Sequence, residues 1–178
     1  MIKLETERLI LRDLQNSDAD DIVEGLNDIE VSKWLSRAPY PYAKQDAEEY
    51  IKHAQEDKIN YRFGIILKEK NKLIGIVEAC IKDSANKIAG GGIWLNRKYQ
   101  GKGYGKEAFN RRIEFIFNDL KMDKIENEFF IDNIASKTMQ EKLGYEVVGV
   151  RKNAFISMAT GKEEDEVVTI LTKDKWIH

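Results

Sequence analysis

The chain has 178 residues, with 29 Lys or Arg against 31 Asp or Glu, and its formal net charge is −2. This length suits one domain, and we expect a single domain over residues 1–178. The balanced charge provides no basic field for non-specific nucleic-acid binding. One cysteine, Cys80, excludes an intramolecular disulfide framework and a Cys-rich metal cluster, and two histidines leave little material for a zinc site or a Ser/His/Asp triad.

No apolar stretch reaches the length of a signal peptide or of a transmembrane helix. We therefore expect a cytoplasmic protein with no membrane, nucleic-acid or metal partner, in which Cys80 is a small buried hydrophobic residue. Its chemistry has to come from backbone groups, carboxylates, hydroxyls and amides.

Taken in chain order, the first half of the sequence predicts one strand, three helical segments and two further strands. Ser17 is the expected N-cap of the first helix, which has acidic residues in its first turn. The predicted elements are a strand over residues 8–13, a helix over 18–26, a short helix carrying Val31, Trp34 and Leu35, a helix over 45–55, and strands over 62–67 and 72–81.

The second half contains the clearest helix, which follows a glycine-rich turn at residues 100–105 and places five apolar residues on one face: Phe109, Ile113, Ile116, Phe117 and Leu120. The other predicted elements are strands over 91–96 and 124–131, a helix over 134–143 that Gly144 ends, and strands over 145–154 and 165–172. The pattern indicates a mixed α/β fold with early hairpins and a late β-α-β-α-β run.

The glycine-rich turn joins a strand to an amphipathic helix, with Gly101, Gly103 and Gly105 in alternate positions. Such a turn directs backbone N–H groups and the positive end of a helix dipole toward one point, so it favours an anion such as phosphate. The spacing matches neither the G-x-G-x-x-G dinucleotide fingerprint nor a Walker A loop. A dehydrogenase or a nucleotide hydrolase therefore fits poorly.

Four segments in the same order resemble the GNAT family of N-acetyltransferases, and in particular its RimJ/RimL-like branch. Gln100-x-x-Gly103-x-Gly105 is similar to the family's Q/R-x-x-G-x-G/A motif. The opening T-E-R-L-I-L-R over residues 6–12 and G-I-W-L over 92–95 resemble segments of the branch. So does the fourth segment, which contains N-I-A-S over 133–136 and E-K-L-G-Y over 141–145. The resemblance covers essentially the whole chain.

The resemblance implies a GNAT fold: one mixed, mostly antiparallel sheet of about seven strands, flanked by helices and splayed at an acetyl-CoA site. It implies acetyl transfer from acetyl-CoA to a primary amine by direct attack in a ternary complex, with a backbone N–H near Leu95 stabilising the oxyanion. The residues that it assigns to acetyl-CoA are Trp94, Leu95, Asn96, Gln100, Gly101, Lys102, Gly103, Tyr104, Gly105, Lys106, Asn133 and Ser136.

Two of the implied catalytic residues are Glu78, a base candidate on the preceding strand, and Ser136, which either contacts the sulfur or a water or caps its helix. Glu78 alternatively points to solvent, and Glu126 and Glu128 are further base candidates. The family's common helix tyrosine corresponds to Gln140, which cannot act as a general acid. Lys137 and Lys142 either bind the adenosine 3′-phosphate or are solvated.

Other positions depart from the branch or concern the acceptor. Gly90 stands where related sequences often have Glu, and the run Gly90-Gly91-Gly92 indicates either a local twist or extra room for substrate. Arg97 stands where the wider family commonly has proline. The acceptor site would lie between residues 34–50 and the last hairpin, where Trp34, Tyr40, Tyr42, Tyr50 and Asp165 are candidates.

The resemblance leaves the acceptor open. A protein N-terminal α-amine, of the kind found on ribosomal proteins, is the first reading, and a small amine such as an antibiotic, a polyamine or an amino-acid derivative is the alternative. A non-catalytic acyl-CoA-binding module is a second class of function. The branch favours a homodimer.

Overall fold

The computed structural model describes residues 2–177. Its strands are β1 (Lys3–Glu5), β2 (Leu9–Asp13), β3 (Tyr61–Leu67), β4 (Lys72–Asp83), β5 (Ile88–Gly90), β6 (Ile93–Leu95), β7 (Lys124–Phe130), β8 (Glu146–Ile156) and β9 (Glu163–Thr172). Its α-helices are α1 (Ala19–Leu26), α2 (Ile29–Ser32), α3 (Lys44–Glu56), α4 (Tyr104–Glu114) and α5 (Ile134–Lys142). A π-helical turn, Phe115–Asp119, extends α4.

Over the described residues, the nine strands form one sheet in the order β1-β2-β3-β4-β5-β7-β9-β8, and β6 pairs with β4 beyond β5. Every neighbouring pair is antiparallel except β5 and β7, which are parallel. The predicted mixed, mostly antiparallel sheet is therefore confirmed. It has two more strands than expected, because β1 and β5 are additional short strands, and the strand predicted over 91–96 is β6, which is limited to Ile93–Leu95.

Two apolar clusters lie on opposite faces of the sheet, because successive strand residues point to opposite sides. One cluster packs α4 and the end of α5 against the sheet and includes Phe109, Ile113 and Val77. The other packs α1, α2 and α3 against the opposite face and includes Ile22, Ile51 and Ile76. The predicted apolar face of α4 lies in the first cluster.

The first helix begins differently from the prediction. Ser17 lies inside a 3-10 turn, Asn16–Asp18, and does not cap α1. The Asp18 carboxylate instead accepts the Gln15 N–H at 2.8 Å and pairs with Arg12 at 2.8 Å. The Asp18 side chain thus closes the 3-10 turn and holds Arg12, and it makes no side-chain cap hydrogen bond at the start of α1.

The start of α4 and the end of α5, which lie next to the site, are where their glycines predict them. Gly103 immediately precedes α4, and Gly144, in the left-handed region with φ +93°, follows α5 as predicted.

No helix in residues 2–177 is long and apolar enough to cross a membrane.

Candidate active site

The sheet opens between β6 and β7. β5 and β7 pair only through Ile88↔Lys124 and Ala89↔Ile125, after which the chain continues into β6 beside β4. Beyond this point β7 pairs only with β9. The two parallel neighbours therefore diverge and leave unpaired backbone on both sides of the opening.

The glycine run Gly90-Gly91-Gly92 lies where the opening begins. A Cβ on Gly90 would lie 2.5 Å from the Glu126 carbonyl oxygen, and one on Gly91, which has φ +121°, would lie 2.4 Å from the Glu78 carbonyl oxygen. A Cβ on Gly92 would meet nothing within 4 Å. The first two glycines are thus required by close backbone approach, while Gly92 borders free space.

The ladder geometry directs particular N–H groups into the opening. Glu78 N donates to Gly92 O at 2.9 Å and Asn96 N donates to Ile74 O at 2.9 Å. Because hydrogen-bonded pairs alternate in an antiparallel ladder, the N–H of Leu95 points away from β4, toward β7. The Leu95 N–H is therefore a donor available to a group in the opening.

The side chains of Trp94 and Asn96 are used within the protein. Trp94 packs on α1 so closely that a Cβ on Gly25 would lie 2.5 Å from its ring. Asn96 is buried, and its Oδ1 accepts the Lys98 N–H at 3.0 Å, which caps the 3-10 turn Arg97–Tyr99. At these two positions only backbone groups are available to a ligand in the opening.

The glycine-rich loop reaches the same end of the opening. The Gln100 Nε2 donates to the Leu95 carbonyl at 2.9 Å, which ties the loop to the end of β6. Gly101 and Gly103 have φ +73° and +84°, a region that favours glycine. Within the described chain, the backbone N–H groups of residues 101–106 have no hydrogen-bond acceptor. Together with the positive end of α4 they form a cradle for an anion.

The loop carries more positive than negative charge. Lys98 pairs with Glu24 at 2.6 Å and Arg97 lies 3.8 Å from Asp28, whereas Lys106 is exposed. The Lys102 ammonium donates to the Lys98 carbonyl at 2.9 Å. Lys102 and Lys106 thus leave positive charge beside the free N–H groups, which suits a pyrophosphate.

The T-E-R segment of the N-terminus supports the first turn of α4. Arg8 donates through Nε to Glu107 Oε2 at 2.6 Å and through Nη1 to the Lys102 carbonyl at 3.0 Å. Thr6 donates to Glu107 Oε1 at 2.6 Å, and the Arg8 guanidinium lies over the Tyr104 ring. Burial raises the pKa of Glu107, but the hydrogen bonds from Thr6 and Arg8 outweigh burial and lower it. Sequence reasoning used this segment only as a family signature.

Asn133 and Ser136 lie at the start of α5. Asn133 Oδ1 accepts the Ser136 N–H at 3.1 Å, so Asn133 is the N-cap. The Ser136 hydroxyl accepts Gln140 Nε2 at 3.1 Å, and the buried Gln140 Oε1 accepts the Thr169 hydroxyl at 2.5 Å. Gln140 thus anchors α5 to β9 and holds the Ser136 hydroxyl.

The two lysines of α5 are exposed. Lys137 lies 3.9 Å from Glu141 one turn later, and Lys142 is also exposed. Neither is held toward the loop.

Glu78 lies on β4 at the edge of the opening, and it does not simply face solvent. Its Oε1 accepts the Tyr50 hydroxyl at 2.7 Å and lies 3.5 Å from Arg62 Nε, while Arg62 also pairs with Asp57 at 2.9 Å. Burial, followed by the neighbouring Glu78 charge, raises the pKa of Tyr50 well above its usual value. Tyr50 therefore stays a neutral donor, and together with Arg62 it fixes the position of the Glu78 carboxylate.

The other acids are more strongly engaged. Glu126 and Glu128 each contact both Lys82 and Arg151. Asp165 accepts Lys152 at 2.6 Å and the Asn153 N–H at 3.0 Å, and these bonds lower its pKa.

Glu166, the last of four consecutive acidic residues over 163–166, is half-buried on β9. Burial, with the neighbouring Glu128 charge, raises the pKa of Glu166. No sequence signal separates it from the other members of that run.

The aromatic candidates for the acceptor site separate in the structure. Tyr42 is buried in the core beneath α3, Tyr40 is exposed, and the Lys33 ammonium lies 5.0 Å from the centre of the Trp34 ring. Tyr50 alone among them contacts a catalytic candidate. The hairpin between β8 and β9 meets the loop after α2, since the Met158 N–H donates to the Ser36 carbonyl at 3.4 Å.

A family model described as an acetyltransferase (GNAT) domain matches residues 8–146, which include the opening, the loop and α5. The chain belongs to the GNAT family of acetyltransferases. This GNAT acetyltransferase is 30% identical over 155 residues to the uncharacterized N-acetyltransferase p20 of Bacillus licheniformis. The aligned residues cover 86% of this chain and 87% of p20.

Two solved structures share the fold of this acetyltransferase. A candidate ribosomal-protein-serine acetyltransferase from Vibrio cholerae has a TM-score of 0.82 at 24% identity, over 96% of this chain and 97% of the other. The spermidine N-acetyltransferase of Vibrio cholerae, solved with CoA and spermine, has a TM-score of 0.81 at 23% identity, over 96% and 98% of the two chains.

Proposed function

We propose that this GNAT acetyltransferase binds acetyl-CoA in the opening between β6 and β7 and transfers the acetyl group directly to a primary amine, with a protein N-terminal α-amine as its first acceptor class. The observation that carries the proposal is the row of unpaired N–H groups over residues 101–106 at the end of an opened sheet. No group within residues 2–177 accepts hydrogen bonds from this row, and its donors are suited to a pyrophosphate.

The opening supplies the remaining groups for the cofactor arm. Unpaired backbone at β6 and β7 can pair with the amides of an extended pantetheine, and the Leu95 N–H is placed to stabilise a developing oxyanion. The side chains of Asn133 and Ser136 hold the start of α5 beside this region.

Glu78 is our candidate for the base. Its carboxylate is held by Tyr50 and Arg62, and it lies on the face of β4 covered by α3, at the level of Gly92. It can accept the ammonium proton, directly or through one water, as the amine becomes nucleophilic. No covalent acyl-enzyme is required.

A small cationic amine is the second acceptor class. Glu126, Glu128 and Glu166 come from the adjacent strands β7 and β9, and the pKa of Glu166 is raised by burial and by the neighbouring Glu128 charge. A second protonated amine on the acceptor would be favoured beside such a group.

We also propose four further properties of the protein: a cytoplasmic location, a homodimer, membership of the RimJ/RimL-like branch and a single domain over residues 1–178.

The test is CoA thiol release from acetyl-CoA with two acceptor panels, N-terminal peptides and polyamines, for the wild type and for E78Q. We expect turnover with peptides, and a larger loss in E78Q at low pH than at high pH, where the amine is already neutral. The matched control is E49Q, because Glu49 is an exposed acid on α3. Preference for polyamines would overturn the first acceptor class, and tight CoA binding without turnover on any amine would overturn the catalytic proposal.

A further inference from the structure

Arg112 is a cation enclosed in the core. It lies on the apolar face of α4 and has an exposed fraction of 0%. Among residues 2–177 no carboxylate lies within salt-bridge distance of it, and burial lowers its pKa. A buried charge without a counter-ion is costly, so this position is not explained by stability.

The Arg112 guanidinium joins the two strands that border the opening. Its Nε donates to the Glu78 carbonyl on β4 at 2.6 Å, and its Nη2 donates to Asn127 Oδ1 on β7 at 3.3 Å. A Cβ on Gly91 would lie 3.2 Å from the same Nη2. One rigid, planar group therefore contacts β4, β7 and the glycine run between them.

The bond to Glu78 replaces a bond of the sheet. Glu78 and Gly92 form a hydrogen-bonded pair of the β4–β6 ladder, in which each residue normally donates to the other. Here only Glu78 N donates to Gly92 O, at 2.9 Å, because the Glu78 carbonyl is taken by Arg112. In the described chain the Gly92 N–H has no acceptor. The ladder is thus interrupted where the opening begins.

Further polar groups gather around the guanidinium. Arg112 Nη1, Asn127 Nδ2 and the Tyr145 hydroxyl are buried, and within residues 2–177 none has a hydrogen bond of good geometry. Burial raises the pKa of Tyr145 to about 12, against the lowering effect of Arg112. Such incompletely satisfied groups concentrate at functional sites, where polar positioning outweighs stability.

We infer that Arg112 is a positioning residue that holds β4 and β7 at the separation required by acetyl-CoA and fixes the peptide of Glu78. This inference rests on the proposed function of the opening. On this inference, the Arg112 side chain causes the interruption of the ladder that leaves the Gly92 N–H unpaired. It also holds the glycine run in the conformation in which Gly91 has φ +121°.

The test compares R112M with wild type and with R111M, a matched control in which the neighbouring arginine is replaced. Arg111 pairs with Glu114 on its own helix at 3.2 Å, and within residues 2–177 it forms no hydrogen bond or ion pair with β4 or β7. In R112M the freed Glu78 carbonyl should accept the Gly92 N–H, so amide exchange of Gly92, measured by NMR, should slow at least about tenfold. Affinity for CoA, measured by calorimetry, should fall about tenfold to a hundredfold, because the opening narrows.

The outcomes separate the inference from the proposed function. Unchanged Gly92 exchange in a folded R112M overturns the inference, whether or not CoA affinity falls, and wild-type affinity for CoA overturns it as well. If the wild type itself binds no CoA, the proposed function fails, and Gly92 exchange alone decides the inference. Should R112M not fold, R112K decides: a lysine reaches only one of the two acceptors, so a loss of CoA affinity supports the inference and wild-type affinity overturns it.

Discussion

Replacing Gly103 by Glu tests the anion cradle most sharply, because the matched variant Gly103→Gln has the same size without the charge. Gly103 has φ +84° and precedes α4. Both variants therefore place an L side chain in the left-handed region, at a cost of about 1–2 kcal/mol of folding free energy. A Cβ there would also lie 3.2 Å from the Arg8 guanidinium, in both variants alike.

The difference between the two variants isolates charge. A carboxylate about 5 Å from a phosphate oxygen is repelled by about 3 kcal/mol at an effective dielectric constant of about 20. Since the loop is exposed, solvent screening reduces this to about 1–2 kcal/mol, which is roughly a tenfold difference in Kd. We therefore expect G103E to bind CoA about tenfold more weakly than G103Q, and both more weakly than the wild type.

The assay is titration calorimetry with CoA at low and at high salt, with chemical unfolding as a check that both variants have equal stability. The gap between G103E and G103Q should narrow as salt rises. Equal affinities at low salt, or a gap that salt does not change, would refute the reasoning that the pyrophosphate lies on this loop.

Three further predictions concern the elements around the cradle. Y50F removes the hydroxyl that bonds the Glu78 carboxylate at 2.7 Å, so the base candidate is held less firmly and kcat/KM should fall about tenfold; an unchanged kcat/KM would exclude this contact as part of the site. The lowered pKa of Glu107 means that its contacts stabilise the fold above its ordinary pKa and are lost as pH falls through the lowered value. Urea unfolding of E107Q should therefore show a deficit of about 1–3 kcal/mol near neutral pH that shrinks in acid, and a constant deficit would contradict this. G90A should lose about 1–3 kcal/mol because its Cβ would lie 2.5 Å from a backbone oxygen, whereas G92A meets nothing within 4 Å; equal unfolding midpoints for the two would refute the close approach.

The parts of the fold that sequence reasoning found are those encoded locally. The stripe containing Phe109 and Ile113 repeats at helical spacing, and the alternate glycines precede it directly, so both the helix and its loop were predictable. Gly144 likewise ends α5 through a conformation that glycine favours.

The parts that it missed depend on contacts distant in sequence. Nothing near Arg112 in the sequence indicates that it bonds a carbonyl on β4, 34 residues away. The contact between Tyr50 and Glu78 joins residues 28 apart, so Tyr50, predicted as part of the acceptor site, contacts the base candidate instead. Ser17 was predicted to cap α1 from its residue type, but it lies inside a 3-10 turn that the Asp18 carboxylate closes by accepting the Gln15 N–H.

A strand was predicted over residues 91–96, whereas β6 covers only Ile93–Leu95 and the unpredicted strand β5 ends at Gly90. Gly90 could either leave room for substrate or allow another part of the backbone to come close. The answer depends on the Glu126 carbonyl, which lies on β7, a strand distant in sequence. In the structure this carbonyl is close to Gly90, so the glycine allows the two strands to approach each other.

The most direct test of the central claim combines amine-dependent CoA release with the intact mass of the enzyme. Purified protein is incubated with acetyl-CoA, with and without an acceptor peptide, and free thiol and both masses are recorded. Direct transfer in the opening predicts thiol release that requires the amine, one acetyl group on the amine and an unchanged enzyme mass. An acetylated enzyme that forms without the amine and passes its acetyl group on, or thiol release that does not depend on the amine, would contradict the account.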